Sequence, residues 1–374
     1  MGKSLAYERA NALNAICPYF TMFPLEYPLK VLAKHKDAGV SVIDPFCGRG
    51  TTLFAARKLG MESCGIDASP IAVAIAKAKL ARVNPEGVVE LAQSYIQRFP
   101  RAVMPPGEFF ERAYTADVLR KICSIRKGLL SDNPETDDKV ILRAAMLGCL
   151  HGPTNKVKGS WSYFSNQMPR TYASKPDYSV RYWKQNHLLP PAVDVLQVLR
   201  RKLRLLSSET VPVVGRITDA RLGDSRMAAS LPQAWRDFSV VVTSPPYYGM
   251  RTYVEDQWLR NWFLGGPATV HYGNDEQLEH TGQDTFAKSL GLVWKNMART
   301  KAKSLDMYVR FGIIPSIEVD AKELVLNSLE ESGASWKVIS VRSARTAADG
   351  KRQADQMSAD SKASMEYDFH VQRR

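Results

Sequence analysis

Cysteine is sparse in this 374-residue sequence. Five cysteines (Cys17, Cys47, Cys64, Cys123 and Cys149) are scattered with no C-x-x-C spacing. That argues against a zinc ribbon or a dense disulfide framework and makes reduced thiols the expectation. No metal-ligand cluster stands out. No uninterrupted apolar run approaches membrane-spanning length, and Met1-Gly2-Lys3-Ser4 leads into polar sequence without the apolar stretch of a leader. A cytoplasmic chain with no membrane association is therefore expected. Gly2-Lys3-Ser4 also lacks the preceding glycine and strand of a phosphate loop. Acidic residues are the minority charge, 38 against 51 basic, giving +13. Such an excess fits a polyanion partner, since cationic side chains displace counterions from phosphates, and it fits a merely soluble basic protein equally well. Internal repeats are absent.

What is present is ordinary globular composition, 45% hydrophobic and 24% charged, in a length that suits one large domain or two modest ones. Residues 40–46 (Val-Ser-Val-Ile-Asp-Pro-Phe) read as a short buried strand ending in a turn. Residues 51–59 carry helix formers and stop at Gly60. Residues 62–67 read as a second strand ending at an acid, and Ser69-Pro70 opens an alanine-rich helix to about Arg82. Strand–helix–strand–helix is the start of a doubly wound α/β sheet. From about 85 to 210 the pattern is helical with basic loops, including helices over 137–150 and 191–206. Strand signals return near 217–222, 238–243, 306–314, 336–342 and 366–372. That makes about seven strands in two groups around an insertion, with 345–362 read as a loop.

Two turns carry chemistry. The first, Asp44-Pro45-Phe46-Cys47-Gly48-Arg49-Gly50-Thr51, joins a strand to a helix. Its glycines let the backbone turn sharply and approach a ligand, and in open α/β sheets ligands bind beyond the carboxyl ends of the strands. Asp67, at the end of the next strand, is placed to accept hydrogen bonds from both hydroxyls of a ribose. Asp44 suits an ammonium better than a pyrophosphate, and Leu53 stands where a dinucleotide fingerprint would need a third glycine. The turn fits S-adenosylmethionine (AdoMet) best, ahead of a nucleotide cofactor or a purely structural turn. After the third strand, Gly223-Asp224-Ser225-Arg226 reads either as an acceptor for an adenine amino group or as a helix N-cap.

The second turn, Thr243-Ser244-Pro245-Pro246-Tyr247-Tyr248-Gly249, ends an apolar strand. Two prolines fix φ and remove two N–H donors, so the surrounding carbonyls have set directions. The Ser244 side chain and the Pro245 carbonyl can both accept from one amino group, pulling its nitrogen toward tetrahedral geometry. Tyr247 offers an aromatic face for stacking a base, worth roughly 1–3 kcal/mol. A cytosine C5 mechanism would need an activated thiolate, and Cys17-Pro18 is a weak candidate for it.

These two turns resemble the amino-methyltransferases of DNA, which alkylate cytosine N4 or adenine N6. The resemblance covers roughly 15–82 and 217–343. It implies a class I AdoMet methyltransferase with a Rossmann-like, seven-stranded sheet and a helical insertion. AdoMet would be held by Asp44, Phe46, Gly48, Gly50, Thr51, Asp67, Asp224 and Ser225, with Tyr19–Pro24 as a flanking segment. Ser244, Pro245, Pro246 and Tyr247 would be catalytic. Ser-Pro-Pro-Tyr is the form typical of the cytosine N4 branch, and the order of the motifs is α-type. A Lys-Pro-Gly-Gly turn frequent in the family before its fifth strand is replaced by Arg299–Leu305 here. The implied activity is methylation of cytosine N4 in a short DNA site by base flipping, in a restriction–modification setting where a companion endonuclease would be a partner. The alternatives are, in order, an adenine N6 enzyme, an RNA base methyltransferase and a catalytically silent nucleic-acid-binding subunit.

The expected division is 1–84 (N-terminal arm and cofactor half), 85–212 (basic helical insertion, the candidate target-recognition region) and 213–374 (catalytic half). DNA is the expected partner of residues 152–204. There Lys156, Lys158, Arg170, Lys175, Arg181, Lys184, Arg200, Arg201, Lys202 and Arg204 face only Asp177 and Asp194 in sequence. Trp161, Tyr163, Phe164, Tyr172, Tyr178, Tyr182 and Trp183 are interleaved with them, a mix suited to phosphates and bases or to the core of a helical subdomain. Arg251, Tyr253, Trp258, Arg260 and Trp262 either bracket a flipped base or anchor the loop. Gly350-Lys351-Arg352-Gln353 is a further candidate phosphate contact.

Overall fold

The computed structural model describes residues 11–19, 24–152, 161–167, 176–206, 218–249, 254–270, 278, 282–313, 319–344 and 365–373. The chain divides into two compact units. One is built from Met1–Pro18, Ala81–Thr210 and Tyr253–Asn274, the other from Tyr19–Leu80, Val211–Thr252 and Asp275–Arg374.

The second unit holds a seven-stranded sheet. Its strands are β1 (Val42–Asp44), β2 (Ser63–Asp67), β3 (Thr218–Leu222), β4 (Val240–Thr243), β5 (Leu305–Ile313), β6 (Trp336–Ala344) and β7 (Met365–Arg373). The spatial order is β3-β2-β1-β4-β5-β7-β6. The five strands from β3 to β5 are parallel, and β7 runs antiparallel between β5 and β6. This is a doubly wound α/β sheet, as expected from the sequence. Strand order reverses at β1, which pairs β2 on one side and β4 on the other. A crevice at the carboxyl ends of the strands is expected at such a reversal.

β1 and β4 are buried along their whole length, which explains their continuous apolar run, since a parallel strand is covered on both faces. β5 alternates. Met307, Val309 and Phe311 join Phe369 and Val371 of β7, together with Phe286 and Trp294 of the helix Gln283–Met297, in the main core. The other face is polar. Asp306 pairs in register with Gln372, Tyr308 with His370, Arg310 with Asp368 and Gly312 with Glu366. Arg310 binds Asp368 through two hydrogen bonds of 2.7 and 2.8 Å, and Tyr308 stacks on His370 at 4.3 Å. A bidentate guanidinium–carboxylate pair satisfies both groups where neither is well solvated.

The first unit is helical. Pro85–Arg98, Ala116–Ser131, Asp137–Cys149 and Val195–Leu206 form its frame. Asn84, Thr115 and Thr136 cap the first three by accepting from backbone N–H groups. An aromatic knot of Phe109, Phe110, Trp183, Trp258 and Trp262 fills it, with ring centroids 4.8 to 5.8 Å apart. The segments 1–18 and 253–274 belong to this unit, although in sequence they lie outside the insertion. Among the described residues, no helix is long and apolar enough to cross a membrane.

Candidate active site

Asp44 is the last residue of β1 and is 1% exposed. Its Oδ1 accepts from the Phe46 backbone N–H at 3.1 Å and from the Thr243 hydroxyl at 2.6 Å. Burial pushes this carboxyl up to about 6. Hydrogen bonds from Thr243, Thr52 and Phe46 hold it down in part, and the charge of Asp67 adds to the rise. Thr243 ends β4, so the glycine turn and the proline turn leave adjacent strand tips and share a side-chain hydrogen bond. A second tie lies at the start of the following helix, where the Thr52 hydroxyl donates to the Val242 carbonyl at 3.1 Å.

Asp67 organises the glycine turn. Its Oδ2 accepts from Gly48 N at 2.8 Å and its Oδ1 from Ser69 N at 2.9 Å. Its carboxyl is raised by desolvation, offset by those two bonds. Gly48 and Gly50 have φ of +49° and +74°. A Cβ on Gly50 would lie 2.9 Å from Ala76, whereas one on Gly48 would meet only the Phe46 carbonyl, at 4.0 Å. Gly50 is thus small so that two helices can close up, and Gly48 so that the backbone can turn and stay open. Thr51 is buried as the first residue of the helix Thr51–Lys58. Phe46 packs edge-on to Trp294 at 6.4 Å. Tyr19 donates to Ser69 Oγ at 2.9 Å, which brings the N-terminal flank to the start of the next helix. Phe20–Phe23 lie outside the described residues.

This donor set fits a particular class of ligand. Two carboxylates and a glycine backbone suit a cationic amine and paired hydroxyls, and would repel a pyrophosphate. The free thiols near the turn are poor nucleophiles, because burial followed by the charges of Asp67 and Asp44 holds Cys47 well above the ordinary thiol range.

The turn after β3 is committed to the framework. Asp224 accepts from Arg226 N at 2.9 Å and from Arg226 Nε at 3.0 and 2.9 Å. Ser225 donates to the Pro45 carbonyl at 2.6 Å. The hydroxyl expected at the cofactor is therefore spent on bracing the Asp44–Pro45 turn, while Asp224 keeps its carboxylate partly exposed beside Arg226.

In the proline turn Ser244 is half-buried and Pro245 buried. Tyr247 is only 9% exposed, lies edge-on to Phe311 at 5.5 Å and donates its hydroxyl to Glu366 Oε1 at 2.9 Å. Little of its ring face is open, so stacking there requires a base to displace packed neighbours. Glu366 was not visible as a site residue in the sequence. It sits in an alternating strand more than a hundred residues away, and only the β5–β7 register brings it to the turn.

The aromatic candidates divide. Phe164 and Trp183 are fully buried, and Trp183 Nε1 donates to the Gln167 carbonyl at 2.7 Å. Trp161 and Tyr178 are exposed by 36% and 45%, and Tyr163 and Tyr182 are half-buried. Trp258, Arg260 and Trp262 are buried within the helical unit. Arg260 donates to the Leu147 carbonyl and to Gln257, so of the two readings, these three anchor the segment. Arg181, Arg200, Arg201 and Arg204 are exposed, and Lys184 pairs with Glu108 at 2.7 Å. Lys156, Lys158, Arg170, Tyr172, Lys175, Arg251, Tyr253 and 350–353 lie outside the described residues.

Residues 3–78 match the family model of a DNA methylase of the N6/N4 type. The Type II methyltransferase M.MjaII of Methanocaldococcus jannaschii is 39% identical over 77 residues, which is 21% of this chain and 14% of that protein. The Type II methyltransferase M.MvaI of Kocuria varians is 20% identical over 302 residues, 71% of this chain and 64% of that protein. The chain thus spans less than two thirds of either relative. Among solved structures, the rRNA methyltransferase aviRa of Streptomyces viridochromogenes aligns over 99% of this chain and 94% of its own, at 13% identity and a TM-score of 0.38.

Proposed function

We propose that the chain is a DNA amino-methyltransferase, a reading supported by the match over residues 3–78 and by the two Type II relatives, and that it methylates the exocyclic N4 amine of cytosine in a short DNA site, with AdoMet as donor. The reading is supported above all by the 2.6 Å hydrogen bond from Thr243 to Asp44, which puts both motifs at neighbouring strand tips. When bound, AdoMet supplies an electrophilic methyl group on a sulfonium. Asp44 would meet its amino group, Asp67 and the Gly48–Gly50 backbone its ribose and chain, and Asp224 its adenine. Ser225 braces the turn that carries Asp44.

Ser244 and the Pro245 carbonyl hold the target amine, accepting its two N–H bonds so that the nitrogen lone pair is localised for attack. Tyr247 closes this edge of the site and offers the base the remaining surface of its ring. A cytosine in a duplex hides this amine, so the base must be flipped out or already be single-stranded. Exposed cations of the helical unit, Arg200, Arg201 and Arg204 among them, supply phosphate contacts. The Ser-Pro-Pro-Tyr turn favours cytosine over adenine. A restriction–modification role would give the enzyme a companion endonuclease and a cytoplasmic site of action.

Transfer of tritiated methyl from AdoMet to genomic DNA, followed by nucleoside mass spectrometry, tests the proposal. N4-methylcytosine is the expected product. N6-methyladenine would reassign the base, and label entering RNA alone would reassign the polymer. Ser244→Ala should keep cofactor affinity within about twofold and lower the transfer rate at least ~100-fold, the scale of losing an oriented polar contact in a transition state. An unchanged rate would remove Ser244 from the chemistry.

A further inference from the structure

We propose that Glu366 is a positioning residue that sets the direction of a hydrogen-bond line running from itself through Tyr247 to Ser244, and so makes Ser244 an acceptor toward the target amine. This inference rests on the amine-methylation reading and adds to it a residue outside both motifs.

Glu366 is 2% exposed and accepts from the Tyr247 hydroxyl at 2.9 Å. Ser244, three residues before Tyr247 on the same turn, acts on the same hydroxyl as a hydrogen-bond donor would, holding its pKa down against burial and Glu366. Arg310, itself 7% exposed and paired with Asp368, interacts electrostatically with Glu366, and a neighbouring guanidinium favours the ionised carboxyl. An ionised carboxylate can only accept. Tyr247 must then spend its proton on Glu366, which leaves the phenolic oxygen to accept. The Ser244 proton has that oxygen as its partner, and the Ser244 lone pairs are left to face an N–H of the base. A serine alone has no fixed polarity, because its hydroxyl rotates to donate or accept. A donor aimed at the amine would compete for the nitrogen lone pair and oppose methyl transfer.

The register explains why the carboxylate is where it is. Glu366 stands opposite Gly312, near the end of β5 and two residues from the Arg310–Asp368 pair.

Glu366→Gln keeps shape and removes the acceptor-only character, since an amide can also donate to the phenolic oxygen. It should lower kcat at least tenfold, with KM for DNA and Kd for AdoMet within about twofold, the pattern of an interaction made in the transition state. Tyr247→Phe should behave alike, and the double variant should be no slower than the slower single one. A kcat for Glu366→Gln within twofold of wild type, or losses that multiply in the double variant, would overturn the inference.

A readout without turnover is the ring-carbon Cζ resonance of Tyr247 in 13C-tyrosine-labelled protein, assigned by its loss in Tyr247→Phe. It should move in both Glu366→Gln and Ser244→Ala, and an unmoved resonance in either would break the line. Wild-type protein that transfers no methyl group while showing both shifts would remove the functional reading and the catalytic use of the line with it. Active wild type with an equally active Glu366→Gln would remove this inference alone.

Discussion

The strand-tip loops of the sheet unit and the basic, aromatic segment of the helical unit were both candidates for function, and they turned out differently. In the loops, the strand tips tie motif residues directly to one another and to the neighbouring turns. Asp44 meets Thr243, Asp67 meets Gly48, and Ser225 meets Pro45. In the basic segment, residues of one composition have opposite fates. Trp183 and Phe164 are fully buried while Tyr178 and Trp161 reach solvent. A loop motif is a backbone instruction, fixed by glycine, proline and strand ends, whereas an aromatic-rich composition serves a core and a binding surface equally well.

The largest effect that would sharpen this contrast is on stability. Trp183→Ala should destabilise the helical unit by about 3–5 kcal/mol, the range for emptying a buried tryptophan site, with a lower denaturation midpoint. Tyr178→Ala, on the same helix, should leave that midpoint unchanged. Equal losses from both would erase the division between core and surface aromatics.

The next effect is on the loops and depends on pH. The Asp44 carboxyl is raised to about 6 from 3.8, so the protonated form is the one folding favours. Its contribution to stability is fully present below about 3.8 and is lost as pH rises through about 6. Asp44→Asn should therefore stabilise the apo protein more at pH 8 than at pH 5 in thermal melts. Cofactor binding works in the opposite direction, because a cationic amine needs the ionised carboxylate. AdoMet affinity, measured by calorimetry, should weaken as pH falls below about 6, by up to roughly tenfold per unit for one linked proton. A pH-independent affinity from 5 to 8 would separate Asp44 from the ligand's charge.

The smallest effect belongs to the exposed cations. Arg201→Ala should lower the slope of log affinity for DNA against log salt by about one, with no change in stability or in which base is modified. A flat response would move the phosphate contacts to other residues of the basic segment.

Much of the sheet was readable in advance, because a buried parallel strand must be continuously apolar and its end is marked by the turn that follows. About seven strands were expected and, among the described residues, seven form, with boundaries within a few residues. The helix expected from Pro191 begins at Val195 instead, where Asp194 accepts from Leu196 N and Gln197 N and caps it. Glu366 was hidden for another reason. In β7 acids and aromatics alternate as in any half-buried strand, and nothing local distinguishes Glu366 from Asp368, whose partner is Arg310.

The sequence by itself determined the strand–turn–helix units, the two motif turns and the excess of positive charge, since each depends on local backbone preference or simple composition. Tertiary structure alone decided that β1 and β4 lie side by side, that Glu366 reaches Tyr247, and which tryptophans are core. Those facts depend on strand pairing and side-chain packing between residues far apart in the chain, which no local window of sequence encodes.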